Sequence, residues 1–137
     1  MNYWHCNTGN ENNKDHMIRR NLCYIGLGNN RTDYEDRMKK KGNSTPKQFT
    51  KFERLAKSGD LIYLYENKVG YIAYGEYTGE IIEPQKGCEL APYWSKEEIQ
   101  KHIRVKNWIQ MKNPIKPRSP LRPTLGLLEG ERRLSLQ

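Results

Sequence analysis

Trp94 and its neighbour Tyr93 stand among polar residues, where neither a helical nor a strand period gives a large aromatic side chain a core position. A ring so placed offers a face to a ligand. The other chemistry-bearing groups are mostly cationic. Arg19, Arg20, Lys39, Lys40, Arg118 and Arg122 are the candidates for phosphate contact. The histidines His5, His16 and His102 are too scattered for a catalytic set, and no Ser-His-Asp or Cys-His ordering stands out. His5, Cys6, Cys23 and Cys88 carry zinc-binding atoms, but no C-x-x-C or H-x-x-x-H spacing is present. The expectation is therefore a binding protein with no metal and no cofactor.

The charge supports binding to a polyanion. The chain has 137 residues and a formal net charge of +8. Residues 1–50 carry nine Lys/Arg against five Asp/Glu, residues 51–100 six against nine, and residues 101–137 nine against two. Basic ends around an acidic middle predict a nucleic-acid-facing surface built from the two ends. Three cysteines with no close pairing argue against a secreted disulfide scaffold. No apolar run has the length of a signal peptide or a membrane span, so the expected location is cytoplasmic or nuclear, with no membrane partner.

Only 35% of residues are hydrophobic, but 14 aromatic side chains can fill a thin core. Residues 2–7 read as an aromatic strand, 11–21 as a short helix and 22–28 as an apolar strand ended by Gly28-Asn29-Asn30. Residues 31–46 read as an exposed, charged loop. Phe49, Phe52 and Leu55 recur at the spacing of a short helix before Gly59. Residues 61–65 and 69–78 form a hairpin about Glu66-Asn67-Lys68. Ser95 reads as the cap of a short helix from Lys96. Residues 102–110 alternate as one strand with Ile103, Val105 and Asn107 on one face. Four prolines between 114 and 123 then rule out regular helix. Trp4 and Trp108, each inside a strand, are expected in the core. Short strands with brief helices and no βαβ rhythm predict an α+β fold with a small mixed β-barrel.

The order of these segments carries a resemblance. An aromatic first strand is followed by Cys23-Tyr24-Ile25-Gly26 and a helix that runs into Lys57-Ser58-Gly59-Asp60. Then come Leu61-Ile62-Tyr63-Leu64-Tyr65, Gly70-Tyr71-Ile72-Ala73-Tyr74-Gly75-Glu76-Tyr77-Thr78-Gly79 and His102-Ile103-Arg104-Val105-Lys106-Asn107-Trp108-Ile109. Over residues 1–118 this resembles the EVE/YTH branch of the PUA superfamily. It is especially similar to the modified-DNA-sensing domains of modification-dependent restriction systems. Residues 119–137 are a Pro/Arg-rich extension that completes or trails the barrel.

The resemblance implies a pocket at the end of the barrel that takes a flipped, modified base. Such a base needs aromatic faces to replace its lost stacking and polar groups to read its edge. By position, Asn7 and Thr8 match the polar residues that touch the base. Tyr24 and Leu27 fall where the family places its first wall, although restriction-type domains commonly carry Trp at the position of Leu27. Tyr93 and Trp94 match the loop that supplies further walls. The implied partner is DNA or RNA, with fusion to, or assembly with, an effector such as a nuclease or an NTPase. Two other readings stay open: an ASCH-like nuclease or hydrolase built on Lys57, Asp60 and Glu76, and a peptide-binding module.

Overall fold

The structure, a computed structural model, describes residues 1–9, 11–84, 90–92, 94–117 and 123–129. Tyr93, Cys88, Arg118 and Arg122 lie outside the described residues, as does most of the 119–137 extension. Three helices and seven strands alternate in an α+β arrangement among the described residues: β1 (Tyr3–Asn7), α1 (Glu11–Arg20), β2 (Leu22–Gly28), α2 (Arg31–Lys39), α3 (Thr45–Leu55), β3 (Leu61–Glu66), β4 (Gly70–Ile82), β5 (Ile99–Val105), β6 (Ile109–Ile115) and β7 (Leu125–Leu128). No helix is long and apolar enough to cross a membrane.

The sheet follows the order β2-β5-β4-β3-β1-β7, with β6 on β4. The β1–β3 pair is parallel and the others are antiparallel. The 13-residue β4 organises it. One edge of β4 pairs with β3. The other edge pairs with β6 at Tyr71–Tyr74 and with β5 at Tyr77–Ile82. Trp4, Ile25, Phe52, Ile62, Leu64, Ile103 and Trp108 pack on the inner side of the curved sheet.

The sheet stays open instead of closing into the expected barrel. No described strand joins β2 to β7, and α3 contacts both of them. Its Gln48 meets the chain at the start of β7. Gln48 Oε1 accepts the backbone N–H groups of Thr124 (3.0 Å) and Leu125 (3.0 Å), and its Nε2 donates to Asn43 O (2.8 Å). Edge donors that another strand would satisfy are met by a helix side chain. A cavity of about 160 Å³ remains at this seam, lined by Trp4, Gln48, Lys51 and Leu125 among others.

Three segments differ from their sequence reading. Residues 31–39, expected as loop, form α2. Its hydrophobic signal is absent because it buries no residue fully, while its capping is strong. Asn30 Oδ1 accepts from Asp33 N (2.8 Å), Asp33 accepts from Asn29 N (2.8 Å), and Arg37 pairs with Asp33 at 3.0 Å. The Tyr34 backbone also rests on Gly28, where an added Cβ would lie 2.7 Å away. The helix expected after Ser95 is a turn that leads directly into β5; Glu98 N bonds Ser95 O at 3.1 Å. Residues 102–110 are not one strand. β5 and β6 meet at a corner, where Trp108 tucks inward and Asn107 is exposed.

Candidate functional site

In β2, Tyr24 and Gly26 alternate with Cys23, Ile25 and Leu27 and so point to the other side of the strand, yet Tyr24 is as fully buried as they are, at 1% exposed. The register sets Gly26 opposite Gln100 and Tyr24 opposite His102. Directly opposed residues of an antiparallel pair point to the same side. These four positions therefore form one patch on the outer face of the β2–β5 ribbon, and the loop before β5 lays Trp94 across it.

Gly26 lets the indole approach. An added Cβ would lie 3.4 Å from Trp94 Cη2 and 2.7 Å from Glu98 Oε1. The Trp94 ring meets Tyr24 edge-on at 6.2 Å and 63°, and remains half-buried. Tyr24 is fixed from two further sides. Its hydroxyl accepts from Arg20 Nη1 at 2.8 Å, and its ring lies 4.4 Å from the His102 ring.

Gln100 and His102 form the floor, 5% and 1% exposed respectively. Burial, with a smaller contribution from Arg20, lowers the His102 pKa to about 4, so the ring is neutral at physiological pH. Gln100 Oε1 accepts from Ala91 N (3.0 Å), and this fixes the orientation of the amide. His102 Nε2, 2.8 Å from the same oxygen, must then carry the hydrogen. The Gln100 Nε2 donor finds no partner among the described residues. A buried donor without a partner costs about 1–3 kcal/mol, which a ligand acceptor would recover. At the rim, burial raises the Glu98 pKa, with Arg37 and Asp33 of α2 near enough to bear on its charge.

Three of the sequence candidates, Arg20, Tyr24 and Trp94, thus come together. Asn7 and Thr8 stand elsewhere. Asn7 pairs with Tyr65, and Tyr65 with Tyr71 near the start of β4, whereas Tyr24 pairs with His102, and His102 with Ile82 at its end. Thr8 is buried, and Asn7 already bonds Gly9 N (2.8 Å) and Asn67 Oδ1 (3.0 Å). Leu27 is a core residue, not a wall. Arg19 is exposed on α1 with its guanidinium 2.7 Å from His16 Nδ1. Lys39 and Lys40 are exposed at the end of α2, the helix that borders Glu98.

Gly26, Glu98, Gln100 and His102 are absent from the sequence reading of the pocket. Their only sequence signal is the polar Gln100 and His102 alternating with Ile103 and Val105, and it acquires meaning through the β2 register. The Lys57, Asp60 and Glu76 set does not assemble as free acid–base groups. The Asp60 carboxylate accepts from Asn2 N, Trp4 Nε1 and Lys57 N, and Glu76 is ion-paired with Lys106.

No protein-family model matches the chain, and no curated protein does. Among solved structures, the X-ray crystal structure of protein PSPTO5229 from Pseudomonas syringae is similar, with a TM-score of 0.51 and 12% sequence identity. The match covers 98% of this chain and 96% of that one. With identity this low, the chain is similar to PSPTO5229 in fold, along nearly the whole length of both proteins.

Proposed function

We propose that this chain is a nucleic-acid-binding reader module of the EVE/YTH type within the PUA superfamily, with an open-sided sheet, which takes an unpaired, modified base against Trp94. The observation that carries this reading is the half-buried Trp94 indole standing over Gly26, beside a buried Gln100 amide whose donor has no partner among the described residues. The indole offers a stacking face, and the amide offers a hydrogen bond to the base edge. A methyl group on the base would add apolar contact with Trp94. Arg20 brings a cation to the same place for the adjoining phosphate.

The test is a panel of short oligonucleotides, each carrying one modified base, titrated against the parent protein and Trp94→Ala. Loss of one stacking face is expected to weaken the best ligand by about 1–3 kcal/mol. The melting temperature should change little, because Trp94 is not a core residue. Equal binding by the two proteins would leave Trp94 as loop packing and remove the basis of the reading.

Salt provides a second measurement. Lys101, Arg104 and Lys106 are already engaged with Glu83, Glu80 and Glu76, so the cationic footprint is smaller than the sequence balance suggests. With about four phosphate contacts, affinity should fall roughly a hundredfold between about 50 and 200 mM salt. A flat profile would argue against phosphate contact.

A further inference from the structure

A second aromatic surface lies on the outer face of the sheet, toward the opposite end of β4 from the Trp94 patch. An exposed antiparallel face ordinarily alternates to polar residues. Here Tyr3 of β1, Tyr63 and Tyr65 of β3 and Tyr74 of β4 gather with Met111 of β6, while Trp4, Ile62 and Leu64 close the main core from the inner side. The rings hold one another in place. Tyr63 meets Tyr3 at 6.1 Å and Tyr74 at 5.9 Å, and Tyr65 meets the buried Tyr71 at 5.2 Å. Tyr3, Tyr65 and Tyr74 nevertheless remain only half-buried.

Cations border this face. Lys68 lies in the turn three residues beyond Tyr65. Lys116 follows β6 at the same end, its backbone N 3.3 Å from where a Cβ on Gly70 would stand. Neither of these two lysines has an ion-pair partner among the described residues. Glu66 beside them is held by Lys14 at 3.2 Å, and Glu129 lies past Leu128, at the Tyr3 end.

We infer that this face is a stacking platform for single-stranded nucleic acid. Every base has a π-face, so half-exposed tyrosines can stack successive bases without reading them, while free lysines meet the phosphates. An apolar protein partner would instead have to desolvate those lysines without compensation. The inference uses no residue of the Trp94 patch and stands or falls separately from the base-reading proposal.

The experiment follows fluorescein-labelled (dT)12 by anisotropy at low salt. The parent protein and Trp94→Ala should bind alike. Tyr65→Ala and Tyr74→Ala should each weaken binding roughly 5- to 100-fold, while Tyr65→Phe and Tyr74→Phe, which keep the stacking face, stay within about twofold. The Lys68→Ala/Lys116→Ala double variant should reduce the salt slope by about 1.4, the contribution of two single-strand phosphate contacts. Failure of the parent to bind (dT)12, or full affinity in a folded Tyr65→Ala protein, overturns the inference. So does a dimer seen by light scattering that Tyr65→Ala abolishes, since a second copy would then cover the face. Should the alanine variants unfold, the lysine pair decides, and an unchanged salt slope there rejects the platform. Loss of modified-base binding in Trp94→Ala, with (dT)12 binding intact, would show the two surfaces acting independently.

Discussion

Trp108→Ala is expected to lose about 3–5 kcal/mol of folding stability, as buried Trp truncations do. Trp108 is the corner where the chain turns from β5 to β6 along one edge of β4. Its indole N–H lies 3.1 Å from Met17 O at the end of α1 and 3.3 Å from Leu22 O at the start of β2. Its ring packs on Gly75, where an added Cβ would come within 3.2 Å of Cε3. Its backbone N–H is taken by Asn21 Oδ1 at 3.2 Å, and Asn21 itself holds a left-handed φ of 56° to turn α1 into β2. Truncation therefore opens a cavity and loosens a junction of α1, β2, β4 and β6 together. Trp108→Phe should lose less, because it keeps most of the ring volume and gives up the indole N–H. Denaturant unfolding of the three proteins checks this; a loss below about 1 kcal/mol for the alanine variant would contradict the assigned packing. The contrast with Trp94→Ala is diagnostic, since the same substitution there should change binding and leave the fold.

Asp60→Ala should lose about 3–4 kcal/mol, through three donors stranded at once. Asp60 Oδ1 accepts from Asn2 N at 3.0 Å, and Oδ2 accepts from Trp4 Nε1 at 3.1 Å and Lys57 N at 3.0 Å. Its own backbone bonds Lys57 O and Tyr77 N, so one residue ties β1, the α3–β3 connection and β4. Asp60→Asn should fall between, since its amide nitrogen would face donors. The pH dependence follows from the same contacts. Burial by itself would raise the carboxyl pKa, but the three N–H donors and the nearby N-terminal charge outweigh it and hold the value below the ordinary 3.8. The folded state therefore favours the ionised form. Its contribution is fully present above pH 3.8 and is lost as pH falls through that value toward the lower folded pKa. Stability measured from pH 6 down to pH 3 should decline less in Asp60→Asn than in the parent; parallel declines would remove Asp60 as a source of acid lability.

Gly59 adopts φ 99°, which favours glycine, and so aims the Asp60 carboxylate back at Lys57 N and Trp4. The Gly59-Asp60 pair is architectural in this chain.

The sequence by itself determined the elements whose signals are local. Alternating apolar and aromatic residues marked β1, β2 and the β3–β4 hairpin. The spacing of Phe49 and Phe52 marked α3, because both side chains enter the core from one helical face. The core place of Trp4 was legible because it lies inside an aromatic strand, whereas Trp108, read as part of one strand over 102–110, is buried instead at the corner between β5 and β6. Tertiary structure decided what depends on pairing between distant segments. The parallel β1–β3 ladder and the addition of β7 to β1 join residues far apart in sequence, and no local periodicity encodes such a choice. The acidic middle of the chain is folded onto its basic end, with Glu76, Glu80 and Glu83 against Lys106, Arg104 and Lys101, so charge segregated along the sequence is partly cancelled in space. The candidate site divides in the same way. Trp94 was conspicuous as an aromatic residue without a periodic place, but Gly26, Gln100 and His102 become its floor only through the β2–β5 register. That register also separates Asn7 from Trp94, because strand pairing, and not spacing along the chain, sets which end of β4 each one reaches.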